Sequence, residues 1–243
     1  MKIENWYLPP ALRARRLGEK IKSAVADVVF PLFCSGCGKE GSVLCEKCVA
    51  DAMQIDAERC PMCTHLSPAP MLCSDCREKI GVKQLVHLGQ FKGPLREALH
   101  NLKYEDARIV AQQLSSMLAG RTQQYQLQSG LVVPMPLAQN RNRERGYNQS
   151  ALIARELSNK LNWDYLEALE RVKKTAPQTK LSRAKRKTNV KGAFASKYKF
   201  TDPNRIIYLL DDVVTTGATL SAAVTALKKA GAKKITALVV AVD

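Results

Sequence analysis

What the chain lacks narrows its class before any motif is read. Nowhere in its 243 residues does an apolar run approach the ~20 residues of a spanning helix, so a soluble protein is expected. The N-terminus carries Glu4 and early prolines and has no apolar signal core, so nothing directs export and a cytoplasmic location is expected. Acid is scarce: 22 acidic residues face 38 basic ones, for a formal net charge of +16. Such a surplus gathers polyanions by steering and counterion release. Nucleic acid is the obvious partner, and small polyphosphates can use part of the same field; the bland alternative is a solubilising charge. Hydrophobic content of 46% is ordinary for a globular protein, so composition marks no part as disordered. The length suits one α/β domain with a smaller module attached.

Cysteine is abundant and ordered. Eight cysteines form four Cys-x-x-Cys pairs, Cys34/Cys37, Cys45/Cys48, Cys60/Cys63 and Cys73/Cys76. A disulfide domain would need export; in a reducing compartment this is metal-ligand spacing. Two pairs close a tetrahedral four-thiolate zinc site with no position left open for catalysis. Two structural Zn²⁺ sites are expected, Cys34, Cys37, Cys45, Cys48 and Cys60, Cys63, Cys73, Cys76, with interleaved pairing the alternative. The module from Phe33 to about Ile80 holds little apolar volume beyond Val43, Leu44, Ile55, Met62 and Leu72. Metal supplies the missing stability, on the order of 10 kcal/mol per site. His65 lies between two pairs but is read as a surface residue, since four thiolates are already at hand.

Three regions follow: a helical segment over 1–32, a zinc module over 33–82 and an α/β domain over 83–243. In the first, Leu12, Leu17, Ile21, Val25 and Val28 recur at helical spacing among basic residues. Packing on the protein body is expected, with membrane-surface attachment as the alternative. In the third, strands are expected over Leu85–Phe91, Leu131–Pro136 and Ile235–Val242. Helices are expected from Pro94, over Asp106–Leu118, after Ser150 and over Leu220–Lys229.

The chain's centre of gravity is Ile206 to Thr219. Five apolar residues, Ile206 to Leu210, read as a strand buried on both faces. Asp211 and Asp212 follow, placed to accept hydrogen bonds from hydroxyls. The loop Val213, Val214, Thr215, Thr216, Gly217, Ala218, Thr219 then runs to a helix start, where backbone N–H groups and the helix dipole cradle phosphate. Together these describe a sugar phosphate. Upstream, Arg141, Arg143 and Arg145 lie between a strand and a helix, a second anion site in the crevice where open α/β sheets bind ligands. Arg171 to Lys191 holds nine Lys/Arg and no acid. Its Lys180, Arg183, Lys185, Arg186 and Lys187 suit a phosphate-rich ligand, and Phe194, Tyr198 and Phe200 are candidate stacking surfaces for bases.

The Asp-Asp-x-x-Thr-Thr-Gly-x-Thr segment resembles the phosphoribosyl-pyrophosphate (PRPP) loop of type I phosphoribosyltransferases. The resemblance implies a mostly parallel sheet flanked by helices, with Asp211 and Asp212 on ribose and Mg²⁺ and the loop on the 5′-phosphate. It also implies pyrophosphate at the arginine loop and a flexible basic loop closing over PRPP. With the cysteine module, Leu102-Lys103-Tyr104, Val133-Pro134-Met135-Pro136-Leu137 and Arg145-Gly146-Tyr147-Asn148-Gln149, the chain is identified as a member of the ComF/GntX family. That membership implies a cytoplasmic protein handling single-stranded DNA during natural transformation, beside a ComFA-like competence helicase. An active transferase is the alternative, and a scaffold with a vestigial site is the third reading. No catalytic residue is assigned: Thr215 stands where 6-oxopurine transferases carry an acid, and no segment reads as a nucleobase hood.

Overall fold

A computed structural model describes residues 32–56, 58–68, 71–102, 107–137, 146–173 and 190–243. The expected N-terminal helix, Lys103-Tyr104, the arginines at 141, 143 and 145, and the basic residues at 180, 183, 185, 186 and 187 lie outside them. The described residues form a parallel sheet flanked by helices with a small cysteine module in front, which is the expected fold class.

Elements run in the order α1 (Glu46–Ala52), α2 (Ser74–Ile80), β1 (Leu85–Gln90), α3 (Gly93–Asn101), α4 (Ala107–Gln124) and β2 (Leu131–Pro134). They continue with α5 (Gln149–Leu161), β3 (Asp164–Tyr165), β4 (Leu169–Arg171), β5 (Phe194–Ser196), β6 (Ile206–Val214), α6 (Ala218–Lys229) and β7 (Lys234–Val242). The main sheet has the order β1-β7-β6-β2-β3, every pair parallel. β6 and β7 lie at its centre, and their near-continuous apolar runs are what burial on both faces demands.

From β2 the chain crosses to β3 on one side; from β6 it crosses to β7 on the other. The carboxyl ends of β2 and β6 therefore flank the point where strand order reverses, the place where open α/β sheets form a ligand crevice. The crossover helices take opposite faces. α6 packs Leu220, Ala223, Val224 and Leu227 on one, and α5 packs Ile153, Ala154 and Leu157 on the other with α3 and α4. Each of these buried Leu, Ile and Val side chains contributes about 1.5–3 kcal/mol.

Two parts depart from expectation. α4 continues to Gln124 because Arg121 and Thr122 are buried, which carries the helix past its apolar stripe. β4 and β5 form a separate antiparallel pair in which Phe194 lies under the Arg171 guanidinium, 5.4 Å from the ring centroid. Phe194 and Phe200 are 6% and 8% exposed, so neither is a stacking surface for bases; Tyr198, at 52%, is open.

Candidate ligand crevice and metal centres

The cysteines group locally. The thiols of Cys34, Cys37, Cys45 and Cys48, and those of Cys60, Cys63, Cys73 and Cys76, lie within 4.8 Å of one another in two separate clusters. Zn–S bonds of ~2.3 Å in a tetrahedron put sulfurs ~3.8 Å apart; Cys37 and Cys45 stand at 3.6 Å, Cys63 and Cys73 at 3.3 Å. Burial pushes the Cys34 thiol up, but N–H groups of Cys45, Cys37 and Gly36 outweigh it and bring it down to about 6. Cys60 comes down to about 7 the same way, through Cys73, Met62 and Cys63. Cys48 and Cys76 are pushed strongly up, by burial and then by the neighbouring thiols. Cys34 and Cys60 thus ionise readily, whereas Cys48 and Cys76 need a shared cation to do so. The donor sets fit Zn²⁺. His65 stays outside: it is exposed, and its carbonyl accepts the Cys60 N–H at 2.7 Å.

Each cluster is seated on a different face of the sheet. Around the first, Gln113 bonds both the N–H and the carbonyl of Leu44, Asn101 Nδ2 donates to Ser35 Oγ at 2.9 Å, and Arg121 donates to the Met53 carbonyl. Around the second, Ser221 Oγ on α6 donates to the Lys79 carbonyl at 2.8 Å.

The crevice is assembled by the β2–β6 pairing, which sets Pro134 beside Leu210, with the Met135 N–H on the Leu210 carbonyl at 2.8 Å. β6 runs on through both acids to Val214. Asp211 is 7% exposed; its carboxylate accepts the Asp212 N–H at 2.9 Å and Ser150 Oγ, from α5, at 3.4 Å. Burial first, then the Asp212 charge, hold its carboxyl well above the usual carboxylate range. Asp212 is half-buried, its Oδ1 accepting the Val213 N–H at 2.8 Å. It lines a cleft of about 320 Å³ with Phe91, Arg96, Glu97, Leu99, His100 and Val213. The two acids are thus unequal: Asp212 faces a cleft and Asp211 stands behind it.

Beyond them, Gly217 is the N-cap of α6 at φ +71°, with no side-chain cap. Thr216 Oγ1 accepts the Ala218 N–H at 3.4 Å. A glycine N-cap brings no capping side chain of its own, and the backbone N–H groups of such a helix start are where an anion is held. The described end of the arginine loop is fixed as well. Asn148 caps α5 through Ala151 N–H and donates to the Met135 carbonyl at 2.9 Å, and Tyr147 Oη donates to the Leu102 carbonyl at 2.9 Å. Sequence reasoning missed Ser150, which reaches Asp211 from α5, and Arg96, Glu97 and His100 of the cleft, which sit on the exposed side of α3.

The double zinc ribbon domain family matches residues 25–77. The chain is 35% identical over 205 residues to DNA utilization protein YhgH of Escherichia coli K12, covering 79% of this chain and 87% of that protein. It is 32% identical over 214 residues to competence protein F of Haemophilus influenzae, covering 83% and 86%. With competence protein ComFC of Streptococcus pneumoniae the identity is 28% over 202 residues, covering 81% and 86%. A solved glutamine PRPP amidotransferase from B. subtilis, complexed with ADP and GMP, overlays 72% of this chain at 18% identity and a TM-score of 0.38. The chain spans only 32% of that larger protein, and so loose an overlay carries no argument.

Proposed function

The chain belongs to the ComF/GntX family of competence and DNA utilization proteins, and from that premise we propose that it handles single-stranded DNA while binding PRPP or a related ribose phosphate. What supports the ligand most is the end of β6, the strand that borders the strand-order reversal: Asp211 and Asp212 close it and a glycine-capped helix start follows at Gly217, while the cleft that Asp212 lines opens toward α3. In this reading the 5′-phosphate takes N–H groups of the loop from Val213 to Thr219, and Asp212 accepts from ribose hydroxyls with Asp211 behind it. The pyrophosphate falls to Arg141, Arg143 and Arg145. Mg²⁺, which accompanies polyphosphates and neutralises their oxygens, would be held beside Asp211 and Asp212, hard oxygen donors that suit it. DNA handling is supported by the +16 charge and by the names its relatives carry, DNA utilization protein and competence protein. The basic residues Lys180, Arg183, Lys185, Arg186 and Lys187 are the proposed DNA track. The proposed setting is the cytoplasm, with a ComFA-like helicase as partner; no described helix is long and apolar enough to cross a membrane.

Calorimetry with PRPP and Mg²⁺, repeated with single-stranded DNA present, tests this. Binding to the native chain and none to Asp211→Asn/Asp212→Asn is expected, with the two ligands altering each other's affinity. Unchanged affinity in the double variant removes the ligand assignment. The cleft beside Asp212 favours a second reading, an active transferase whose acceptor lies between Phe91, Arg96 and Val213. Pyrophosphate release from PRPP across a panel of bases and amines decides it.

A further inference from the structure

The loop that ends β6 turns at Gly217, which sits at φ +71°, with Thr216 Oγ1 accepting the Ala218 N–H at 3.4 Å. The turn rests on what lies beneath it. A carbon placed where a Gly217 side chain would begin would stand 3.1 Å from both Cδ1 and Cγ1 of Ile80, and 3.4 Å from Cε of Met62. Both supports belong to the second cysteine ribbon. Met62 lies between Cys60 and Cys63, and Ile80 ends α2, the helix capped by Cys73 and carrying Cys76.

Two further ties join that ribbon to α6. Ser221, in the first turn of the helix, donates to the Lys79 carbonyl at 2.8 Å. Gly81, the left-handed cap of α2 at φ +86°, packs against Val224 and Lys228 so closely that a side chain there would meet them at 3.2 and 3.1 Å. Cys60, Leu72, Cys76 and Ile80 share one apolar core with Leu220, Ala223 and Val224. Among the described residues the first ribbon makes its contacts elsewhere. It packs Gly36 on Pro94 and the Ala52 carbonyl on Gly89, and its buried cysteines belong to the core on the opposite face.

We infer that Ile80 and Met62 are positioning residues for the phosphate loop, so that the second ribbon, and not the first, governs how the Thr216–Thr219 amides are aimed. The inference rests on the ribose-phosphate reading for its functional meaning. Phosphate is gripped by several amides at once, and a helix start displaced by ~1 Å misaligns them together. The ligand affinity of the loop is therefore coupled to the integrity of the Cys60, Cys63, Cys73, Cys76 cluster.

The test uses the full chain loaded with zinc. Ile80→Ala and, as a milder cut, Met62→Ala are compared with Asn101→Ala, which removes the Asn101–Ser35 tie of the first ribbon. For Ile80→Ala, about tenfold weaker PRPP·Mg²⁺ binding and about tenfold faster exchange of the Gly217 and Ala218 amides are expected, with two zincs retained. Met62→Ala shifts both in the same direction, Ile80→Val restores most of the loss, and Asn101→Ala leaves both readouts at the native value. Native affinity and exchange in both Ile80→Ala and Met62→Ala would overturn the inference, as would an equal effect from Asn101→Ala. If the native chain binds no PRPP, the ribose-phosphate reading fails. Amide exchange in the ligand-free protein still decides the coupling.

Discussion

A carboxyl 7% exposed and a half-buried one beside it cannot answer substitution alike. Asp211 is held well above the usual carboxylate range by burial and then by Asp212, so its ionised form costs folded-state stability. For a raised carboxyl the stability is full at low pH and is lost as pH rises. Asp211→Asn, which still accepts from Ser150, should therefore raise the urea midpoint of the ligand-free protein at pH 8, by a margin that shrinks on acidification. Asp211→Ala leaves Ser150 without its acceptor and costs about 1–3 kcal/mol. Asp212→Asn should leave the midpoint nearly unchanged while weakening ligand. His87 on β1 shows the opposite sign. Burial brings it down to about 4, helped by the Arg121 charge and opposed by the Nδ1 contact to the Gly89 carbonyl. It folds neutral, so stability falls as pH drops from 6.5 toward 4, by at most about 3 kcal/mol. His87→Gln should flatten that part of a urea-midpoint profile; an unchanged slope would place the acid sensitivity elsewhere.

Among elements, those that aim the crevice were legible because their signals are long. Ile206 to Leu210 is an apolar run ending in two acids, and Leu220, Val224 and Leu227 recur at helical spacing. β3, β4 and β5 were not legible, since two or three residues carry no period and are held only by their pairing partners. Phe194 and Phe200 looked available for bases because a basic segment precedes them; the β4–β5 pairing and the T-shaped packing of Tyr198 on Phe200 bury them instead. The cysteine ribbons were legible as metal sites, but their seats were not. Gln113 meets Leu44 across 69 residues, and nothing in either neighbourhood announces it. With so small an apolar store, the ribbons depend on metal. A chelator that strips zinc should expose residues 33–80 to proteolysis before the 190–243 segment. Cleavage in the reverse order, or no change on metal removal, would show that the ribbons hold themselves.

At the scale of the whole molecule, two ribbons clasp opposite faces of one sheet, with the proposed ligand crevice at its carboxyl edge. The local grouping of cysteines was the first of two sequence-level options, and proximity of the thiols selects it. The +16 charge is a property of the whole chain, and the proposed DNA track at Lys180 to Lys187 lies outside the described residues. Its prediction is accordingly electrostatic. Single-stranded DNA affinity should fall steeply with salt, by about 0.7 logarithmic units per phosphate contacted and per decade of salt. Lys185→Ala/Arg186→Ala/Lys187→Ala should flatten that slope by about 2. A salt slope the triple variant leaves intact would move the track elsewhere.

Amide chemical shifts from Val213 to Thr219, followed while PRPP and Mg²⁺ are added to the full chain, address the crevice directly. Saturable shifts concentrated at Thr216, Gly217, Ala218 and Thr219, and absent in Asp211→Asn/Asp212→Asn, are the expected result. Shifts that avoid this turn, or none at ligand concentrations that saturate ordinary PRPP sites, would contradict the account.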